Sequence, residues 1–306
     1  MIRRIRNRLA QLSELLRRVE DLQLSVGRIE LRSLEAANNS GGRLQEYEFR
    51  VSSQWGEDGI IQHLIRTVPI QNPFFVEFGV QDYKESNTRF LLQNNNWSGV
   101  VFEAEAQDVD SIRRQPLYYR HDLTAVCTFI ERESVNQVFE QYGARGDIGL
   151  LSVDIDGNDY WVWEAIEAAS PRIVVCEYEN IFGCDRAVSI PYNRTFDRAK
   201  AHFSFLYGGA SLPALEFLGK KKGYVLVGSN SAGNNAFFVR NDVRGGLPAV
   251  ASRDVYRRAK YRNSRDREGN PTFLDYRDGL RLIADLPLVD VQTGEALRVG
   301  DLSGGE

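Results

Sequence analysis

The 306-residue sequence has little cysteine and no apolar run long enough to span a bilayer. Its three cysteines fit neither a disulfide framework nor a zinc site, so we expect free thiols in a reducing cytosol. The arginine-rich N-terminus lacks the apolar core of a signal peptide, and no transmembrane helix is expected. The net charge of −4 argues against a specific nucleic-acid partner. These absences predict a cytoplasmic protein.

The composition is that of an ordinary globular chain, with 42% hydrophobic and 26% charged residues. Its length suffices for one large α/β domain with appendages. We predict three segments, which are an N-terminal helix and linker over 1–42, a central domain over 43–245, and a basic helical extension with a tail over 246–306.

The N-terminal segment carries a helical pattern through residue 36, after which a Gly/Asn/Ser-rich stretch over 38–42 predicts a flexible linker. Its apolar residues recur every three or four positions, which is coiled-coil spacing, and this pattern slips after Val19. They are Ile2, Ile5, Leu9, Leu12, Leu16, Val19, Leu22, Val26 and Ile29. We favour a coiled coil through residues 1–36 that makes a homo-oligomer. The alternatives are docking on a partner's helix and, because residues 1–18 hold six arginines and one glutamate, an interfacial membrane helix.

From residue 74 onward, short apolar runs alternate with amphipathic stretches, which predicts βαβ units. Parallel strands are predicted at 74–80, 97–103, 117–119, 148–154 and 172–177. Helices are predicted at about 86–94, 106–114, 131–142 and 160–168. The runs 224–227 and 236–239 flank a turn-rich loop and predict an antiparallel pair that closes the sheet. The predicted fold class is therefore α/β, a Rossmann-like, seven-stranded, mostly parallel sheet with helices on both faces.

Acidic residues stand at or just after the predicted ends of the parallel strands. They are Glu77, Glu103, Asp122, Asp154 and Glu177. Each alone is explained by the frequent use of acids at strand ends and helix N-termini. Ligands of open α/β sheets bind outside the carboxyl ends of the strands, so the whole series predicts one nucleoside-type ligand.

These acids stand in segments that resemble class I S-adenosylmethionine-dependent methyltransferases of the FkbM type. Glu77-Phe78-Gly79 is similar to the motif that follows the first strand in this family, and 151–159 is similar to its D-x-E/D-G-x-E element. The segments 53–59, 85–89 and 223–228 complete the resemblance, which covers about residues 50–240.

The resemblance implies S-adenosylmethionine as the cofactor. In it Glu103 matches the acid that binds the ribose hydroxyls, and Asp122 matches the residue that receives the adenine amino group. The full set of expected cofactor contacts is Gln54, Glu77, Gly79, Asn87, Thr88, Glu103, Asp122 and Asp154. The first turn has one glycine, Gly79, and no G-x-G-x-x-G fingerprint, which argues against a dehydrogenase.

Methyl transfer to a hydroxyl requires a base, or a metal that lowers the pKa of the hydroxyl. Asp156 is our first candidate for this base, and Asp154 is expected beside the methionine part of the cofactor. His202 competes for the role because an unperturbed histidine titrates near neutral pH. Asp154, Asp156 and Glu177 together offer oxygen ligands for a divalent metal such as Mg²⁺.

The resemblance also implies a sugar or glycan acceptor, methylated on a hydroxyl in polysaccharide, glycolipid or natural-product biosynthesis. An alternative is a catalytically degenerate scaffold subunit that acts through its N-terminal coiled coil. Residues 250–268 hold seven Lys or Arg with two interleaved tyrosines. Such a run predicts either a solvated surface or contact with an anionic saccharide, a lipid-linked phosphate or the inner membrane face.

Overall fold

The computed structural model describes residues 2–36, 42–259 and 261–304, with backbone only for residues 2–6, 9, 10, 13, 303 and 304. Its α-helices are α1 Ile2–Ala36, α2 Glu57–Thr67, α3 Arg89–Asn95, α4 Ala106–Arg114, α5 Pro116–Arg120, α6 Val135–Gln141, α7 Asp159–Ala165, α8 Arg198–Ala201, α9 Leu212–Lys221, α10 Ser252–Val255 and α11 Tyr276–Leu282. Its strands are β1 Phe74–Phe78, β2 Ser98–Glu103, β3 Leu123–Cys127, β4 Gly146–Val153, β5 Ala169–Glu177, β6 Val188–Ser189, β7 Tyr224–Ser229, β8 Asn235–Arg240, β9 Pro287–Asp290 and β10 Ala296–Arg298.

Seven strands form the central sheet in the order β3-β2-β1-β4-β5-β8-β7. The first five are parallel, whereas β8 runs antiparallel to both β5 and β7. This confirms the predicted mostly parallel sheet and its antiparallel closing pair. The direction of strand order reverses between β1 and β4, which is the place where open α/β sheets bind ligands.

Both faces of the sheet are covered by apolar packing. Phe75 and Leu150 belong to the core under α2, α3 and α4, whereas Val76 and Leu151 belong to the core under α6, α7 and α9. Successive side chains of a strand point to opposite faces, so strands buried on both sides read as continuous apolar runs. The predicted helices on both faces are confirmed.

The third strand was predicted in the wrong place. Residues 117–119 lie in α5, which begins with Pro116 at a position where a missing N–H costs nothing. The true strand, β3, starts at Leu123, and its register pairs Gly99 with Leu123 and Glu103 with Cys127. Asp122 therefore precedes β3 at the amino edge of the sheet, roughly 16 Å along the strands from the level of Glu103.

A second, three-stranded sheet was not predicted from the sequence. It pairs β6 with β9 and β9 with β10, all antiparallel. An apolar cluster joins this sheet to α11, with Val188, Leu280, Ile283, Leu288 and Val299 among its buried members. The C-terminal segment thus packs against the chain that follows β5.

The N-terminal helix is confirmed as one helix, α1. Its C-terminal half docks on the domain through Leu24, Leu31 and Leu34, which pack with Phe49 and Phe90. Ion pairs from Glu20 to Arg89 and from Glu35 to Arg66 flank this contact. The predicted linker falls mostly outside the described residues. Within the described chain, no helix combines the length and the apolar character that crossing a membrane requires.

Candidate active site

Gly79 brings the loops after β1 and β4 into contact at the switch point. Its φ of +66° is left-handed, and a Cβ added there would lie 1.9 Å from the carbonyl oxygen of Asp154. Only glycine permits both this backbone conformation and this close approach. The loops after β1 and β4 are therefore fixed against each other at Gly79.

Glu77 is buried at the end of β1, and its carboxylate is occupied by the protein itself. It accepts hydrogen bonds from Ser86 Oγ (2.6 Å), from the backbone N–H of Asn87 (2.8 Å), and from both the backbone N–H (3.1 Å) and Oγ1 (2.5 Å) of Thr88. The Asn87 side chain in turn donates to Ser152 Oγ at 3.1 Å. Glu77, Asn87 and Thr88, expected as cofactor contacts, thus hold one wall of the cleft in place.

Glu103 fixes the loop that follows Gly79. Its carboxylate accepts the backbone N–H of Gln81 at 2.7 Å and that of Ala104 at 2.7 Å. Gln81 and Tyr83 have φ of +47° and +62°, an uncommon conformation for non-glycine residues that clusters at functional sites. Glu103 remains partly exposed, so its carboxylate keeps acceptor capacity toward the cleft.

Thr128 and Phe129 take the position at the end of β3 that was expected of Asp122. The backbone N–H of Thr128 donates to the carbonyl of Glu103 at 2.9 Å, and the Phe129 side chain is 49% exposed. Asp122 is exposed at the opposite edge of the sheet, so its predicted position beside Glu103 was wrong. The error follows directly from the displaced third strand.

Three carboxylates meet beyond the ends of β4 and β5. One oxygen from each of Asp154, Asp156 and Glu177 lies within 4.8 Å of the others. Burial and the repulsion of the neighbouring carboxylates raise the pKa of Asp154 and of Glu177 well above their ordinary values. A hydrogen bond between Asp154 and Glu177 opposes this shift for Asp154. The pair therefore holds a proton at a higher pH than isolated carboxyls do.

Arg198 of α8 supplies the positive charge of this cluster. Its Nη1 lies 3.0 Å from Asp156 Oδ1 and its Nη2 lies 2.7 Å from Glu179 Oε2, while its Nε donates to the carbonyl of Phe205. The Arg198 side chain is only 14% exposed. Sequence reasoning missed Arg198 and Glu179, and the one available clue was that several buried carboxylates need a counter-charge.

Asp159 braces the turn that presents Asp156. Its carboxylate accepts the backbone N–H of Ile155 at 2.8 Å and that of Gly157 at 2.9 Å, and burial raises its pKa to about 6. Between those two donors, Asp156 has a φ of +59°. The turn is thus held in a strained form that aims Asp156 at Arg198.

An aromatic pair lies beside the carboxylates. Trp55 stacks on Tyr261 with ring centroids 5.6 Å apart. Burial raises the pKa of Tyr261, and the negative charges of Glu179 and Glu177 raise it further. Trp55 is 40% exposed, and Gln54 beside it is also exposed. Neither aromatic residue was expected at the site.

Two buried acids hold the loop that carries Gln54 and Trp55. The carboxylate of Asp58 accepts the backbone N–H groups of residues 51–53 at 2.7–2.8 Å. Glu57 accepts from the side chains of Asn230 (2.7 Å) and Asn235 (2.9 Å), and Asn235 pairs with Glu177 in the sheet. The loop is therefore tied to the strand end that carries the carboxylate pair.

His202 lies at the end of α8, one turn after Arg198. Its Nδ1 lies 2.7 Å from Ser204 Oγ, and its ring centroid is 4.3 Å from that of Phe203. Burial and the nearby Arg267 lower the pKa of His202. The hydrogen bonds described for its ring join it to Ser204 rather than to the carboxylates, and its role as a base stays a prediction.

The carboxylate cluster is compatible with a hard divalent cation in ligand type and spacing. Asp154, Asp156 and Glu177 offer three oxygen ligands, and such cations complete their shells with water. Arg198 already neutralises part of the negative charge, because it is paired with Asp156 and Glu179.

No protein-family model matches the sequence, and no curated protein matches it. Among solved structures, the N-terminal domain of EvdMO1 with SAH bound is 10% identical, with 69% of this chain and 94% of that chain covered and a TM-score of 0.41. An O-methyltransferase from Bacillus cereus in complex with SAH is 16% identical (52% and 68% covered, TM-score 0.32). A putative O-methyltransferase from Klebsiella pneumoniae is 12% identical (68% and 95% covered, TM-score 0.38). At these identities and TM-scores, the similarity gives no information about the activity of this chain.

Proposed function

We propose that this chain is an S-adenosylmethionine-dependent methyltransferase that acts on a hydroxyl group. The proposal rests on one observation. Glu103 and the Asp154–Glu177 pair lie on either side of Gly79 at the switch point of the sheet. The seven-stranded, mostly parallel sheet is also the fold that the resemblance of the sequence motifs implies.

On the donor side, the residues present suit a nucleoside without a pyrophosphate. Glu103 accepts hydrogen bonds from the ribose hydroxyls with the acceptor capacity that Gln81 and Ala104 leave free. The exposed ring of Phe129 offers a stacking surface for adenine at the strand end where Asp122 was expected. When bound, S-adenosylmethionine would supply an electrophilic methyl group for the acceptor oxygen and would leave as S-adenosylhomocysteine.

On the acceptor side, the Asp154–Glu177 pair takes the hydroxyl proton. A carboxylate whose pKa is raised by burial and by neighbouring negative charge is a stronger base than an ordinary one. Asp156 is exposed and ion-paired with Arg198, so we assign it to orienting the acceptor rather than to taking the proton. A divalent cation held by these three carboxylates would lower the pKa of the hydroxyl.

We propose a sugar as the acceptor on the basis of the groups that surround the carboxylates. The exposed face of Trp55, stacked on Tyr261, offers an aromatic wall against which the apolar face of a sugar can pack. Arg198 and the carboxylates provide donors and acceptors for several hydroxyl groups.

Ligand-induced stabilisation tests the donor half of this proposal. S-adenosylmethionine at 100 times its Kd should stabilise the native chain by about 2.7 kcal/mol, seen as a rise in Tm. Glu103→Ala should abolish the rise, because it removes the ribose acceptor and frees the loop at Gln81. Asp122→Ala is the matched control and should keep it, because Asp122 lies at the other edge of the sheet. No rise for the wild type at millimolar ligand overturns the cofactor assignment.

The acceptor half is tested with radiolabelled methyl donor and cell extract separated into glycan, lipid, protein and nucleic-acid fractions. Label should enter the glycan or glycolipid fraction with the wild type and be lost with Asp154→Asn. Label found in protein or nucleic acid would contradict a sugar acceptor and leave the cofactor assignment intact.

A further inference from the structure

Six large apolar side chains form an exposed stripe along α1. They follow one another at intervals of three, four, three, four and three positions, which is an uninterrupted a/d heptad pattern. The stripe consists of Leu12, Leu15, Val19, Leu22, Val26 and Ile29, each 44–64% exposed. Aligned apolar side chains at this spacing are typical of a helix that pairs with another helix.

The domain does not cover the stripe, because it packs on another side of the helix. With the stripe at a and d, Leu24 and Leu31 fall at f, and Gly27 and Leu34 at b. The f and b positions face away from the a/d seam. The approach on that side is close, since a Cβ added at Gly27 would lie 2.3 Å from Val51 Cγ2. The docked domain thus leaves the seam free for a second helix.

The spacing of the stripe is symmetric about its midpoint, between Glu20 and Asp21. Two copies of α1 placed antiparallel about that point bring together Leu12 with Ile29, Leu15 with Val26, and Val19 with Leu22. Each a residue then meets a d residue of the other helix, as antiparallel coiled coils require. We propose that α1 pairs in this antiparallel manner with α1 of a second copy of the chain.

The charges of α1 favour the same orientation. Residues 2–18 hold six arginines and one glutamate, a net charge of +5, whereas residues 19–36 hold two arginines and four acids, a net charge of −2. Glu20 and Glu35 are already ion-paired with Arg89 and Arg66 of the domain, so the gain from antiparallel pairing is that it keeps the two basic halves apart, whereas parallel pairing sets them side by side. Charge thus favours the orientation that the spacing permits.

An anionic lipid surface is the other occupant that an arginine-rich helix suggests. Four of the six stripe residues, however, lie in the acidic half, where Glu30, at an e position beside the stripe, would approach the same lipid headgroups. The arginines are concentrated before the stripe begins. A second copy of α1 can therefore cover the whole stripe. Lipid binding is one of the outcomes that the experiments below distinguish.

Two adjacent leucines provide a matched pair of variants. Leu15 and Leu16 are both 58% exposed, but Leu15 belongs to the stripe, whereas Leu16, which the sequence pattern placed in the seam, falls at a flanking e position. By analytical ultracentrifugation the full chain should be a dimer at micromolar concentration. Leu15→Asp should weaken its dimerisation at least tenfold, whereas Leu16→Asp should stay dimeric, and both should keep the Tm of the domain. A monomeric wild type, a trimer, or equal effects of the two variants would overturn the proposal.

Disulfide cross-linking tests the orientation. In a chain with Cys127 and Cys184 replaced by serine, Leu12→Cys and Ile29→Cys chains should cross-link when mixed and not when oxidised separately. Cross-linking of each variant with itself would show parallel helices and contradict the antiparallel pair. Wild-type chain that is monomeric but sediments with phosphatidylserine vesicles would assign the stripe to lipid instead.

Discussion

Replacing Gly79 with alanine tests whether the contact between the loops after β1 and β4 holds the site together. An added Cβ would lie 1.9 Å from the carbonyl oxygen of Asp154, in a backbone with φ of +66°. Gly143 provides the control, because its φ is +78° and an added Cβ would meet no atom within 4 Å. The two variants share the left-handed backbone and differ in the steric clash.

The left-handed conformation costs an alanine about 1–2 kcal/mol, and both variants carry this cost. Only Gly79→Ala must also move two backbone segments apart, because real Cβ contacts essentially never fall under 3.0 Å. Overpacking of this kind costs about 1–3 kcal/mol. The expected losses of unfolding free energy are therefore about 1–2 kcal/mol for Gly143→Ala and about 2–5 kcal/mol for Gly79→Ala.

Urea unfolding measures both losses, provided that the m-values stay equal to that of the wild type. The displaced loop also carries Asp154, so Gly79→Ala should lose the stabilisation by S-adenosylmethionine, whereas Gly143→Ala should keep it. Equal losses of unfolding free energy in the two variants would refute the argument that this contact is tight.

Three further predictions concern charge. Burial raises the pKa of Asp58 to about 6, so its contribution to stability is complete below pH 4 and is lost as the pH rises through about 6. Asp58→Asn should remove this part of the pH dependence, measured as Tm between pH 4 and 7. Arg198→Met removes the counter-charge of Glu179 and Asp156 and should shift the acid limb of the pH–activity profile to higher pH, whereas Arg198→Lys should shift it less. Mg²⁺ titrated calorimetrically should bind the wild type and not Glu177→Gln, and no heat with the wild type would contradict the cation site.

The sequence predicted the sheet because buried parallel strands are continuous apolar runs separated by amphipathic helices. It failed at β3, where Leu117-Tyr118-Tyr119 is as apolar as the true strand, Leu123–Cys127. Pro116, directly before Leu117, indicates the start of a helix, and this signal argues against a strand over 117–119. The second sheet could not be predicted, because its strands are short and β6 pairs with β9 across a long separation in the chain.

At the candidate site, too, the residues that follow from the strand pattern were predicted and the others were missed. Glu103 and Asp154 were predicted to lie at the cleft because parallel strands carry their carboxyl ends to one edge of the sheet. Arg198 and Tyr261 reach that edge from segments with no strand pattern, so only tertiary packing brings them there. Glu77 was predicted at the correct position, at the end of β1, and was expected to contact the cofactor. In the structure its carboxylate instead accepts hydrogen bonds from Ser86 and Asn87 of the protein itself.

The stacking of Trp55 on Tyr261 has a consequence for how the protein is made. These residues lie about 200 positions apart, so their contact is among the most non-local in the chain, and such contacts form late in folding. During synthesis the sheet and most of its helices leave the ribosome before Tyr261 does. We therefore expect a nascent chain to form the central sheet, with Glu103 and Asp154 at its edge, before Tyr261 arrives with the last sixth of the chain and stacks on Trp55.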